Sequence, residues 1–166
     1  MSGILGGQCL SWVAFDPQLA VSAALKSMLA SHLRGQKIRL QLDMVKSLDE
    51  AVVLASRQQI SLLTIVVEGE NTLANAKCLW QVRARSPATL RMVLSRNSTP
   101  EFVALLLEAG AQIVVHDIPS LQRLLPRIVE RSPMKSLGFH PLTSGLAERL
   151  PWRDVDRSVL TLSRGS

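Results

Sequence analysis

Asp16, Glu68, Ser95, His116 and Asp117 are the side chains of this 166-residue chain whose types could do chemistry together. Asp16, Glu68 and His116 offer two carboxylates and an imidazole, a donor set that suits a divalent ion or a polar small molecule. Ser95, His116 and Asp16 can also be read as nucleophile, base and orienter. No G-x-S-x-G elbow accompanies the serine and nothing signals an oxyanion hole, so hydrolysis is set aside. The glycines form neither a phosphate-cradling loop nor a dinucleotide fingerprint, and no cofactor is expected. Cys9 and Cys78 have no motif spacing and read as two reduced, inert thiols. His32 and His140 read as surface or packing residues.

Those side chains need a scaffold, and the apolar pattern supplies one by alternating two kinds of segment. Leu10–Phe15 is a short apolar run ended by Asp-Pro, as a buried strand requires. Residues 17–34 follow as a helix that Pro17 opens and Gly35 ends. Ile38, Leu40 and Leu42 alternate with polar residues, the pattern of a half-covered strand. Ser47 through Glu50 is a capping box that starts a helix to about Gln58. Ile60–Val67 is almost continuously apolar and suits a central strand covered on both faces. A helix over 72–85, a strand over Leu90–Leu94, a helix from Thr99-Pro100 to Gly110 and a strand over Ile113–Val115 come next. Ser120 is expected to cap a last helix to Arg131, with Pro126 kinking it or delaying its start. This βαβαβαβαβα order with short loops demands right-handed crossovers, hence an α/β fold of three layers around a five-stranded parallel sheet. Ligands of such sheets gather at the strand C-termini, where all five opening residues are expected.

Over residues 9–131 the chain resembles the receiver domain of bacterial response regulators. VAFDP at 13–17 stands where that family ends its first strand in acidic residues, often followed by Pro. ARSPATLRMVLS at 84–95 is similar to its third-helix end and fourth strand, and EAGAQIVV at 108–115 to its Gly-Ala turn into the fifth strand. The resemblance implies the flavodoxin-like (βα)5 arrangement, with strand order 2-1-3-4-5. It also implies a phosphorylation site whose carboxylates are missing. Ala14 and Phe15 occupy the metal-binding acidic pair, and Asp16 matches the third position only. Val66 or Val67 occupies the phosphoacceptor, with Glu68 beside it. The Lys position falls on Asp117, or on His116 with a slipped register, and Ser95 alone survives at the Ser/Thr position. The expectation is a pseudo-receiver, non-enzymatic and metal-free at this edge, in which Glu68 could imitate the phosphorylated charge. The contrasting expectation is a small-molecule or metal-binding domain, even an enzyme, built around Asp16, Glu68 and His116.

A protein partner, not identifiable from sequence, is what remains for such a domain to act on. Net charge is +6, with +1 from residues 1–82 and +5 from residues 83–166, where 11 of 12 basic residues are Arg. They are scattered rather than clustered, so nucleic acid is not the expected ligand. Arg123, Arg127 and Arg131 fall at i, i+4 and i+8, a basic stripe suited to carboxylates of a partner or a second subunit. A homodimer through the fourth-helix, fifth-strand and fifth-helix face is one expectation from the resemblance. Residues 133–152, with Phe139 and Trp152 as anchors, read as an ordered extension that docks in cis or on a neighbour, and 153–166 as a flexible tail. No apolar run is long enough for a membrane span and no signal peptide is visible, so a cytoplasmic location is expected.

Overall fold

In the computed structural model, which describes residues 7–67, 72–96 and 99–136, the alternating pattern becomes five β/α units. In order they are β1 (Gln8–Phe15), α1 (Ala20–His32), β2 (Ile38–Met44), α2 (Leu48–Arg57), β3 (Leu62–Val67), α3 (Thr72–Arg85), β4 (Leu90–Ser95), α4 (Pro100–Ala109), β5 (Ile113–Val115) and α5 (Ile118–Arg131). A two-residue β6 (Lys135–Ser136) follows them. The strands run in the order β2-β1-β3-β4-β5, every neighbouring pair is parallel, and β6 pairs with β1 off this path. Gln8–Lys135 form one compact unit. Past Ser136, the expected extension and tail lie outside the described residues.

All six residues of β3 are buried, because it lies at the centre of the sheet with a helical layer on each face. Its side chains alternate between two cores. Leu63, Ile65 and Val67 join Ala51, Val52 and Ala55 of α2, Cys78, Leu79 and Val82 of α3, and Leu106 of α4. Leu62 and Val66 join Leu25 and Leu29 of α1 and Leu121, Leu125 and Ile128 of α5. Each fully buried aliphatic side chain contributes about 1.5–3 kcal/mol of transfer free energy. Thr64 interrupts the run for a reason: its hydroxyl accepts the indole N–H of the buried Trp12 at 2.8 Å. Without that acceptor the indole donor would be stranded in the core.

Two helix starts depart from the sequence expectation. α1 begins at Ala20, not Pro17, because the Asp16 carboxylate accepts from the Ser22 amide and Leu19 turns the chain at φ 64 before the helix starts. α5 is capped by Asp117, not Ser120. The Asp117 Oδ1 accepts from the Ser120 amide at 2.7 Å, so Ser120 is the capped position. Pro126 does not delay the start of α5, which runs through it from Ile118 to Arg131. It lies on the exposed side of the helix. Cys9, expected just ahead of the first strand, is inside β1.

The capping box holds with a shift of partner. Ser47 Oγ accepts from the Glu50 amide at 3.1 Å, while Glu50 reaches back to the Lys46 amide at 3.0 Å. Thr99 caps α4 and Gly110 ends it, as the sequence indicates. Gly110 has φ 126, and a Cβ there would come within 3.1 Å of the Arg83 side chain.

Candidate functional site

At the C-terminal ends of β1 and β3 the floor of the sheet is apolar. Ala14 is fully buried, Val66 and Val67 nearly so, and the half-buried Phe15 packs against the core shared by α2, α3 and α4. None of these side chains can hold a divalent ion, which needs oxygen ligands, or attack a phosphorus atom. Val67 stands beside the buried Ser95 in the β3–β4 register. Glu68 lies outside the described residues.

The polar residues of this edge are engaged with the starts of helices. Asp16 is 3% exposed, and its Oδ2 accepts from the Ser22 amide at 2.8 Å. That carboxylate thus caps the first turn of α1, where the helix dipole favours negative charge. Its Oδ1 and the Ser22 hydroxyl are both buried without a hydrogen-bond partner. Asp117 does for α5 what Asp16 does for α1. The hydrogen bonds from Ser120, helped by the charges of Arg123 and His116, hold its carboxyl below the usual range.

Asp16 and His116 do not meet. They follow β1 and β5, which β3 and β4 separate, so roughly 14 Å of sheet lies between them at about 4.8 Å per strand. His116 places Nδ1 3.1 Å from the backbone carbonyl of Ser95, not from its hydroxyl. The serine, histidine and aspartate therefore form no relay. Among the described residues no three His, Cys, Asp or Glu side chains group to hold a metal ion.

The cysteines also keep to the interior, and neither is bridged. Burial, with the nearby charge of Asp49, pushes the Cys78 thiol up to about 12. Such a thiol carries almost no thiolate at neutral pH.

The three arginines expected to form a basic stripe all lie on α5. Arg123, Arg127 and Arg131 are exposed, opposite the buried Leu121, Leu125 and Ile128. Arg123 borders a groove of about 380 Å³ formed with Val114, Val115, His116, Ser120 and Leu124. The groove joins an apolar floor from β5, an edge strand, to cationic and hydroxyl groups at its rim. Phe139 and Trp152, the other expected partner residues, lie outside the described residues.

Sequence reasoning missed Arg91. It is 6% exposed in β4, and donates from Nε to the Gly110 carbonyl at 2.7 Å and from Nη1 to the carbonyls of Pro87 and Thr89 at 3.1 and 2.9 Å. Burial, and then the charge of Arg83, lower its pKa. A single Arg in the otherwise apolar run LRMVL was the available signal.

No protein-family model matches the sequence, and no curated protein matches it. Solved structures do match the fold. A response regulator from Thermotoga maritima superposes with a TM-score of 0.57 at 20% identity, over 73% of this chain and 96% of that one. The receiver domain of a sensor histidine kinase from Pseudomonas aeruginosa PAO1, with a magnesium ion coordinated in its active site cleft, gives 0.55 at 21%, over 75% and 98%. An atypical orphan response regulator, described as revealing a phosphorylation-independent regulatory mechanism, gives 0.56 at 16%, over 73% and 93%. The fold is thus that of receiver domains, with the strand order expected from the sequence.

Proposed function

We propose that this chain is a pseudo-receiver: a non-enzymatic signalling module that takes no phosphoryl group and acts by binding proteins. The observation that carries this reading is the apolar floor at the strand ends. By the resemblance, Ala14, Phe15 and one of Val66 or Val67 stand where the fold's phosphorylating members keep carboxylates, and all four side chains are apolar. Asp16 is engaged in capping α1, and by the resemblance the Lys position falls on Asp117, or on His116 with a slipped register, neither of which supplies the lysine's ammonium. The neighbour described as phosphorylation-independent supports the same reading.

The partner surface in this proposal is the α5 face. Its exposed Arg123, Arg127 and Arg131, beside the groove along β5, suit a surface rich in carboxylates, either a different protein or a second copy. Receiver folds are known as dimers, one neighbour being a beryllofluoride-activated receiver domain dimer. By sequence, Phe139 and Trp152 in 133–152 would add apolar anchors, and deletion of 133–166 tests whether they do. Two unbridged, buried thiols suit the reducing cytoplasm. No described helix is long and apolar enough to cross a membrane.

Incubation with Mg²⁺ and acetyl phosphate followed by intact-mass measurement tests the chemical half. The expected spectrum is unchanged, and a phosphoryl adduct overturns the proposal. A charge-reversing triple variant, Arg123→Glu with Arg127→Glu and Arg131→Glu, tests the other half. It is expected to abolish whatever self-association or partner binding the parent shows, with the fold intact by circular dichroism.

A further inference from the structure

α3 has an apolar side that the core does not use. Asn75, Cys78, Leu79 and Val82 are its buried residues. A helix turns 100° per residue, so the line opposite them is occupied by Leu73, Lys77, Trp80 and Ala84. Leu73 is 80% and Trp80 62% exposed. Both sit on the outermost line of the helix, where a solvated face ordinarily carries charge. They are seven residues apart, about 10.5 Å along the axis.

The electrostatic setting decides what this face fits. α3 carries three cations, Lys77, Arg83 and Arg85, and no acidic residue. Lys77 lies between the two apolar anchors. Arg85 donates to Ser56 of α2 and Arg83 to the Glu108 carbonyl of α4, so the cations spread toward both neighbouring helices at the Trp80 end. Arg57, exposed in the last turn of α2, adds to them. The nearest acids on the neighbouring helices are Asp49 of α2, whose charge reaches Cys78 on the buried side of α3, and Glu108 of α4, whose carbonyl takes the Arg83 bond. A second copy fits poorly. Antiparallel pairing of Leu73 on a partner's Trp80 would centre near Lys77 and bring two ammonium groups together.

We infer that this α3 face docks an acidic amphipathic segment of a partner protein, a helix with two apolar side chains about two turns apart and carboxylates toward Lys77 and Arg85. Burying a Trp and a Leu supplies the affinity, and the cations select the acidic partner. α3 packs on one side of the sheet and α5 on the other, so this is a second surface, independent of the α5 stripe and of the lost phosphorylation.

The test is selection from a displayed library of amphipathic helical peptides against the full chain. Recovered peptides are expected to be net acidic with apolar residues spaced i, i+7. Their affinity should fall at least tenfold with Trp80→Ala and with Leu73→Ser, and stay unchanged with Arg127→Glu. Lys77→Glu should remove the preference for acidic over neutral peptides. Recovery of no peptide, of neutral or basic peptides, or of peptides indifferent to Trp80 and Leu73 overturns the inference. So does a dimer of the chain alone that Trp80→Ala dissolves, since the face would then belong to a second copy. Trp80 and Leu73 are exposed, so both variants should keep the parent's circular dichroism.

Discussion

The two ends of this sheet handle charge in opposite ways. At the N-terminal end of the strands, helices finish, and their carbonyls leave partial negative charge. Arg91 is buried there, and every acceptor assigned to its guanidinium is a backbone carbonyl: Gly110 after α4, and Pro87 and Thr89 after α3. At the C-terminal end, helices begin, and their free amides leave partial positive charge. Asp16 and Asp117 sit there, each accepting from the third amide of the helix it starts. The signs of Arg91, Asp16 and Asp117 thus follow the helix dipoles. The difference teaches how helix ends on the two edges of one sheet select charges of opposite sign. Asp16 and Asp117, at that end, each serve the helix that follows.

The comparison breaks most visibly at Arg91. Arg91→Leu should cost about 3 kcal/mol, because it removes charge-assisted bonds and leaves buried carbonyls short of donors. Denaturant unfolding measures it, and a loss under 1 kcal/mol would mean that water reaches this end freely. Gly110→Ala should cost roughly 1–3 kcal/mol, since it forces a side chain into φ 126 and against Arg83, behind the carbonyl that Arg91 holds. At the other end, Asp16→Ala should cost about 1 kcal/mol, the ordinary worth of a helix cap. Faster amide exchange at Ser22, with α5 unaffected, would place that loss at the start of α1. Asp16→Asn keeps an acceptor for that amide and should restore most of it.

Much of this was readable from the residues, and the failures have a pattern. Apolar periodicity located β1 to β5 and the five helices but not the two-residue β6, because a strand covered on both faces leaves no room for polar residues, and β3 contains only Thr64. The apolar floor was legible for the same reason: Ala14, Phe15, Val66 and Val67 lie within buried runs. Helix starts were less legible. Asp16 caps α1 from outside the usual cap position while Leu19 adopts a left-handed backbone, an arrangement no local propensity encodes. Arg91 stood out as an Arg in an apolar run, but its partners were not legible, because they are carbonyls of Pro87, Thr89 and Gly110 and every residue has a carbonyl. The outward Leu73 and Trp80 blur the periodicity of α3, whereas the Arg stripe of α5 stands out against a cleanly apolar inner side.

The smallest effect sharpens the comparison by isolating charge from hydrogen bonding. Asp117→Asn retains a side-chain oxygen for the Ser120 amide, and Asn caps helices about as well as Asp. What it removes is the negative charge at the start of α5, near Arg123 and His116. Because the folded carboxyl titrates below its unfolded value, the charge stabilises the fold above the unfolded pKa of about 4. The contribution is lost as pH falls through the folded pKa, when both states are protonated. The stability difference between parent and Asp117→Asn should therefore be constant above about pH 5 and shrink below pH 4. Urea unfolding across that range measures it. A difference that stayed flat to the lowest pH would mean that the hydrogen bond alone holds α5, and that the dipole argument fails at this end of the sheet.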